Sequence, residues 1–226
     1  MWIGLGLIAG AGLVAVSHFF DSREAPLKRR MRKLPLADFI GNTPENQDVR
    51  VSGILGYVEG KRPLIAPLSG RPCAAWHVFV GRRVGISREW DPLIEHQESM
   101  DFILQDESGR ALVSGAKISM MLSLDFSTKP GPASERLEAF LRERPPPTPA
   151  YAPASMDFPT PKELFAHEGI LELGETVTVA GSGTLVNDPR AGRGYRGNGK
   201  LLRVEALANG EILVSDDPSL RSDQGE

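Results

Sequence analysis

The chain opens on nineteen consecutive residues, Trp2 to Phe20, without an Asp, Glu, Lys or Arg, and no later apolar run approaches that length. At ~1.5 Å rise per residue they make about 28 Å of helix, close to the ~30 Å hydrocarbon core of a bilayer. The pattern therefore predicts a single transmembrane anchor over residues 1–20. A cleaved signal peptide is the alternative. It would carry positive charge before the apolar run and a small-residue site after it, whereas here His18, Phe19 and Phe20 fill the exit and KRRMRK follows at Lys28 to Lys33. By the positive-inside rule this basic flank puts the N-terminus outside and the rest of the chain on the cytosolic face, the inner membrane if the cell is prokaryotic. Residues 21–47 read as a polar juxtamembrane linker in which Pro26, Pro35 and Pro44 break any long helix. Lys28, Arg29, Arg30, Arg32 and Lys33 within it are candidate contacts for anionic lipid headgroups.

From Val49 the pattern changes to short β-type runs, VRVSGILGYV, AAWHVFVGRRVGI, FILQ and ALVS, the last two separated by the turn residues Asp106 to Gly109. KISMMLSLDF is a further strand candidate. In the second run Trp76, Val78 and Val80 share one face and Ala75, His77 and Phe79 the other, which predicts a central strand with both faces covered. One amphipathic helix interrupts the strands. Ala133, Leu137, Phe140 and Leu141 form its stripe, Glu138 can pair with Arg142 one turn on, and Pro145 to Pro147 stop it. Residues 145–161 are a Pro-rich loop or semi-rigid connector, and strands resume with EGILELG, TVTVAGSGTLV, KLLRVEAL and EILVSD. The expected layout is a mainly β, barrel-like domain over 48–215 with one packed helix, then a polar disordered tail at 216–226.

Composition narrows the class. With 26 basic and 29 acidic residues the net charge is -3, so no global field favours nucleic acid, and the basic cluster beside the anchor makes the membrane the first partner. One cysteine, Cys73, excludes an intramolecular disulfide and suits a reducing compartment. The 24 glycines and 18 prolines with 7% aromatic residues fit a turn-rich β domain.

Chemistry has few candidates. Gly194 to Lys200 has the G-x-x-x-x-G-K spacing of a phosphate-cradling loop, but Leu201 stands where Ser or Thr should ligand Mg²⁺, and the flanks read strand-loop-strand. The expectation is a hairpin loop whose Arg190, Arg193, Arg196 and Lys200 serve at most as anion contacts. Cys73 and His77, four apart in a strand, are the candidate catalytic pair, with a thiolate nucleophile or half a metal site as the chemistry. The competing reading is a buried structural thiol. No acid/base pair stands out, and no cofactor or metal is expected. In the anchor, Gly6 and Gly10 form a small-xxx-small pair that would let two helices approach closely, which predicts self-association through that face.

Several segments in order along the chain resemble one family. Pro67, Leu68, Ser69, Gly70, Pro72 and Cys73 look like a P-L-S-G-x-P-C element, and Trp90 follows. Phe102, Leu104, Asp106 and Gly109 resemble an F-x-L-x-D-x-x-G hairpin, and Glu168 with Gly174, Val177 and Gly181 is similar to an E-x-x-L-x-x-G-x-x-V-x-V-x-G element. Together, over about residues 50 to 215, they resemble the GIDE, or beside-a-membrane, domain, as in the membrane-anchored ubiquitin ligase MULAN. The resemblance implies an anchored β-rich module that binds protein or lipid at the membrane surface. MULAN-like ligases add a second span and a RING, whose two Zn²⁺ ions need eight Cys or His ligands. With one Cys in 226 residues this chain cannot supply them. Two alternatives to a non-catalytic module stay open: a substrate-binding component of a ubiquitin-ligase-type (E3) system whose RING comes from another chain, and a thiol enzyme using Cys73 and His77.

Overall fold

The computed structural model describes residues 24–37, 40–43, 46–83, 90–128, 134–145, 164–188 and 200–222. The expected anchor at 1–20, with Gly6 and Gly10, lies outside them, as do most of the Pro-rich loop, residues 189–199 and the last four residues. Among the described residues no helix is long and apolar enough to cross a membrane.

The described residues form thirteen strands and two α-helices. Five of the strands close a barrel: β1 (Gln47–Tyr57), β6 (Phe102–Gln105), β7 (Arg110–Val113), β12 (Lys200–Glu205) and β11 (Thr176–Asn187), with β11 returning to β1. All neighbours are antiparallel except β7 and β12. This connectivity is that of a five-stranded Greek-key barrel of the OB type. Such barrels carry many unrelated functions, so the site has to be argued from side chains. Alternation along the strands sends Val49, Val51, Phe102, Leu104, Ala111, Val113, Val177, Val179, Leu202 and Val204 into one core. Beyond β12 on the same edge of β11 lie β13 (Ile212–Ser215) and, parallel to it, β8 (Ile118–Met121).

A second sheet is inserted between strands of the barrel. Its order is β5 (Trp90–Ser99), β4 (Ala75–Arg83), β10 (Leu164–Leu171) and β9 (Phe126–Ser127). A two-stranded ribbon, β2 (Leu64–Ile65) with β3 (Pro72–Cys73), leads into it. β4 is central, as its two apolar faces predict, and helix α2 (Glu135–Glu143) covers one of them. Leu137 and Phe140 of α2 pack with Trp76, Val78, Val80, Ile94 and Ile170, and the Phe140 ring meets Trp76 edge-on at 6.2 Å. Ser134 caps the helix by accepting from the Leu137 N–H.

The structure differs from the sequence expectation at both ends of the domain. Residues 24–32, expected as an irregular linker, form helix α1, and Pro26 lies inside its described part. Leu27, Met31 and Leu34, spaced as one helical stripe, pack against Met121, Ala180, Leu207, Leu213 and Leu220 on the outer face of β11 and β13, with Met31 wholly buried. This packing of an apolar stripe supplies what the local pattern, read against its prolines, does not. After α1 the chain is stitched to β1: Arg50 donates its N–H to the Pro35 carbonyl and accepts from the Ala37 N–H. At the other end the expected disordered tail is structured through residue 222. Both oxygens of Asp216 accept from the Ser123 N–H, Asp217 caps a 3-10 turn at Pro218–Leu220, and Leu220 is fully buried. Among the described residues there are thus two packed α-helices where the pattern predicts one.

Candidate functional site

Two of the sequence motifs, the one from Pro67 to Cys73 and the one beginning at Glu168, meet in space. The loop between β2 and β3 folds back on itself, with Gly70 donating to the Ala66 carbonyl and Ala66 to the Arg71 carbonyl. Gly70 takes a φ of +74°, a left-handed conformation that side chains rarely adopt. The amides at the turn aim at Glu168 of β10: Leu68 N–H donates to Oε1 at 2.7 Å and Ser69 N–H to Oε2 at 2.8 Å. Glu168 has no exposed surface. A buried carboxylate needs such charge-assisted bonds to be tolerated at all, so this pair staples the loop to the central strands. The loop's anion-holding amides are already filled by the chain's own side chain.

Outside the staple lies an ion cluster. Arg71 donates through Nε to Glu172 Oε1 at 2.9 Å, makes a second contact to Glu172 Oε2, and reaches Asp125 Oδ1 at 3.4 Å. Asp125 Oδ2 accepts from the Ile170 N–H, and Glu175 Oε2 accepts from the Glu172 N–H. The segment before β9, the β10–β11 turn and the β2–β3 ribbon are thereby joined where the two sheets meet.

Cys73 and His77 are not brought together. Ala74 and Ala75 both pack into the barrel-side core, so the alternation expected from Cys73 to His77 breaks at the bend between β3 and β4. Cys73 falls in the cluster with Trp76 and Val78 under α2, while His77 takes the other face, with Nε2 at 3.3 Å from Glu95 Oε1. Burial, reinforced by the charges of Glu168, Glu172 and Glu98, pushes the Cys73 thiol up to about 12. It is a thiol at neutral pH, without nucleophilic thiolate. Among the described residues the strongly perturbed histidine is His167, which no sequence motif marks out. It lies buried on β10 beside Phe165, ring centres 5.0 Å apart, and burial holds its pKa down at about 4.

Several of the remaining motif residues also build the fold. Asp106 closes the β6–β7 hairpin, accepting from Ser108 and Gly109 N–H at 2.8 Å through Oδ1 and from the Ile40 N–H at 2.7 Å through Oδ2. Burial opposes its charge, but these bonds win and hold the carboxyl below the usual range. Phe102, Leu104 and Val177 fill the barrel, Gly174 turns the chain with φ +88°, and a Cβ on Gly181 would stand 2.5 Å from the Glu205 carbonyl oxygen. Trp90 opens β5 opposite Arg83. Lys200 begins β12, paired with Asn187, so a strand follows the G-x-x-x-x-G-K segment where a phosphate loop needs a helix. Arg190, Arg193 and Arg196 lie outside the described residues.

The basic cluster of α1 divides in two. Lys28 bridges Glu24 at 3.2 Å and Asp217 at 3.0 Å, and Arg30 reaches Glu211 at 3.5 Å, so these two hold the helix to the body. Arg29, Arg32 and Lys33 are exposed, Arg32 donating to Ser219 Oγ at 3.1 Å. Among the described residues no group of three or more His, Cys, Asp and Glu side chains is placed to hold a metal ion. Comparison with known proteins yields no match, whether to family models, to curated proteins or to solved structures.

Proposed function

We propose that this chain is a membrane-anchored binding module of the GIDE type, held by residues 1–20 with its β domain on the cytosolic face, acting through protein or lipid contact rather than catalysis. The observation that carries the reading is the use the fold makes of the motif residues. Glu168 of one element staples Leu68 and Ser69 of another, Asp106 closes the hairpin of a third, and Cys73 is a packed thiol. Motif residues that are spent on building the body support a scaffold for binding. Helix α1 supports the anchored arrangement. Its described part begins at residue 24, four residues after the apolar run, and is packed to the barrel, so the domain would be held against the bilayer with Arg29 and Lys33 exposed toward headgroups. The test is alkaline extraction of membranes from cells making the full chain, followed by protease treatment of sealed vesicles of known sidedness. The reading expects retention in the pellet and cleavage of the C-terminal region only from the cytosolic side. Release by alkali, or cleavage from the opposite side, would defeat it.

A further inference from the structure

Alternation along β1 and β6 sends Leu55, Phe102 and Leu104 into the barrel and leaves Ile54, Gly56, Ile103 and Gln105 on its outer face. In the ladder Ile54 stands opposite Gln105 and Gly56 opposite Ile103, so the four are cross-strand neighbours. They line a cleft of about 380 Å³ that runs on to Glu107 in the β6–β7 turn. One end of the cleft is apolar, with Ile103 only 7% exposed as its floor and Ile54, 55% exposed, beside it. The hollow is there because position 56 has no side chain: a Cβ on Gly56 would come no nearer than 4.0 Å to Ile103.

The other end is polar. Asp106 is spent on its own turn, both carboxylate oxygens accepting backbone N–H groups. Gln105 and Glu107 are exposed, and among the described residues neither side chain has a hydrogen-bond or ion-pair partner. Arg110, opposite Gln105 on β7, is bridged to Asp188 at 3.2 Å. The cleft therefore joins an aliphatic trough to one open carboxylate and one open amide carbonyl. At about 3.4 Å per residue the step from Ile103 to Gln105 is about 7 Å, comparable to the aliphatic stem of a basic side chain, and the turn with Glu107 begins just beyond it.

We propose that this cleft takes a basic side chain presented by a partner protein, its stem lying over Ile103 and along Ile54 in the hollow left by Gly56, its cationic head donating to Glu107 and to the Gln105 carbonyl. Charge selects this occupant: the open carboxylate attracts a cation and turns away acidic side chains and anionic headgroups. Exposure selects a protein over a free amine, because the residues flanking a chain-borne side chain would cover Ile54, which a small amine leaves in water. The proposal rests on the reading of the chain as a binding module and narrows it to protein contact. It does not depend on the anchor.

The experiment is amide NMR of the isotope-labelled full chain in phosphatidylcholine nanodiscs, titrated with the blocked tripeptide Gly-Lys-Gly, with the same peptide carrying acetylated lysine or Glu at the centre, and with n-butylamine. The Lys peptide should give saturable shifts centred on the amides of Gly56, Gln105 and Glu107. Its affinity should exceed those of the acetylated and Glu peptides by about fivefold or more, and that of butylamine as well. Glu107→Gln, at an exposed turn position, should weaken Lys-peptide binding about fivefold with the melting temperature unchanged. Gly56→Val, which fills the hollow from the outer face, should abolish saturable binding. Equal affinity for the Lys and Glu peptides, or Lys-peptide binding unchanged in Glu107→Gln, overturns the proposal. Butylamine binding as tightly as the Lys peptide overturns the protein source and makes the cleft a free-amine site. Alkaline extraction does not involve Glu107, so the absence of saturable shifts in a protein that stays in the membrane pellet defeats the cleft and leaves the anchored reading standing.

Discussion

Two buried ionisable side chains on neighbouring positions of β10 behave in opposite ways. Glu168 keeps its charge partners inside the fold, so Glu168→Gln should put an amide N–H₂ against the Leu68 or Ser69 N–H and cost about 3 kcal/mol in a urea unfolding series. A loss under about 1 kcal/mol would mean that the staple is not what orders the loop. His167 is neutral when folded, with a pKa of about 4 against 6.5 for an ordinary histidine. The unfolded chain therefore binds the extra proton first as pH falls through 6.5, and stability drops until pH reaches about 4. Between about pH 7.5 and pH 5 this group alone should remove about 2 kcal/mol. Wild type minus His167→Phe, measured at both pH values, isolates it, and equal slopes for the two proteins would refute the assignment. Neither role is legible in sequence. A Glu or His in an apolar strand becomes a staple or a silent base only through what the opposing loop and ring supply.

The helices show where local pattern suffices and where it misleads. For α2 the stripe, the Ser134 cap and the proline stop agree, and the helix is found at Glu135–Glu143. For α1 the prolines argue against a helix, and the stripe Leu27, Met31, Leu34 is the signal that could have outvoted them. Met31→Ala should cost about 3 kcal/mol as a buried cavity, while Arg29→Ala on the exposed side should stay within about 0.5 kcal/mol. Thermal melts of both variants decide this; equal losses would show α1 to be only loosely docked. Strand alternation likewise places Trp76, Val78 and Val80 together but fails across Ala74, which is why the Cys73 and His77 pairing dissolves.

At the scale of the whole molecule the barrel and the inserted sheet share material. Ala74, Ala75 and Leu171 of the second sheet belong to the barrel core, and β10 runs into β11 through the turn that carries Glu172 and Glu175. Unfolding should therefore be one cooperative event. Amide exchange in β10 and β11 should report the same opening free energy, to within about 0.5 kcal/mol. Exchange in β10 that is markedly faster would split the body into two units.

Most of the strands, though not the polar β5 or the short β2 and β3, follow from periodicity and composition, as do helix α2, the single thiol and the apolar run at residues 2–20, because they depend on neighbours in the chain. The five-stranded closure of β11 on β1, the parallel step from β7 to β12, the meeting of Glu168 with Leu68 and Ser69, and the pairing of Arg71 with Glu172 join positions up to about a hundred or more residues apart. No local spacing encodes those contacts. They arise when the burial of two apolar strand faces selects one register, and that register then dictates which polar side chains must find one another.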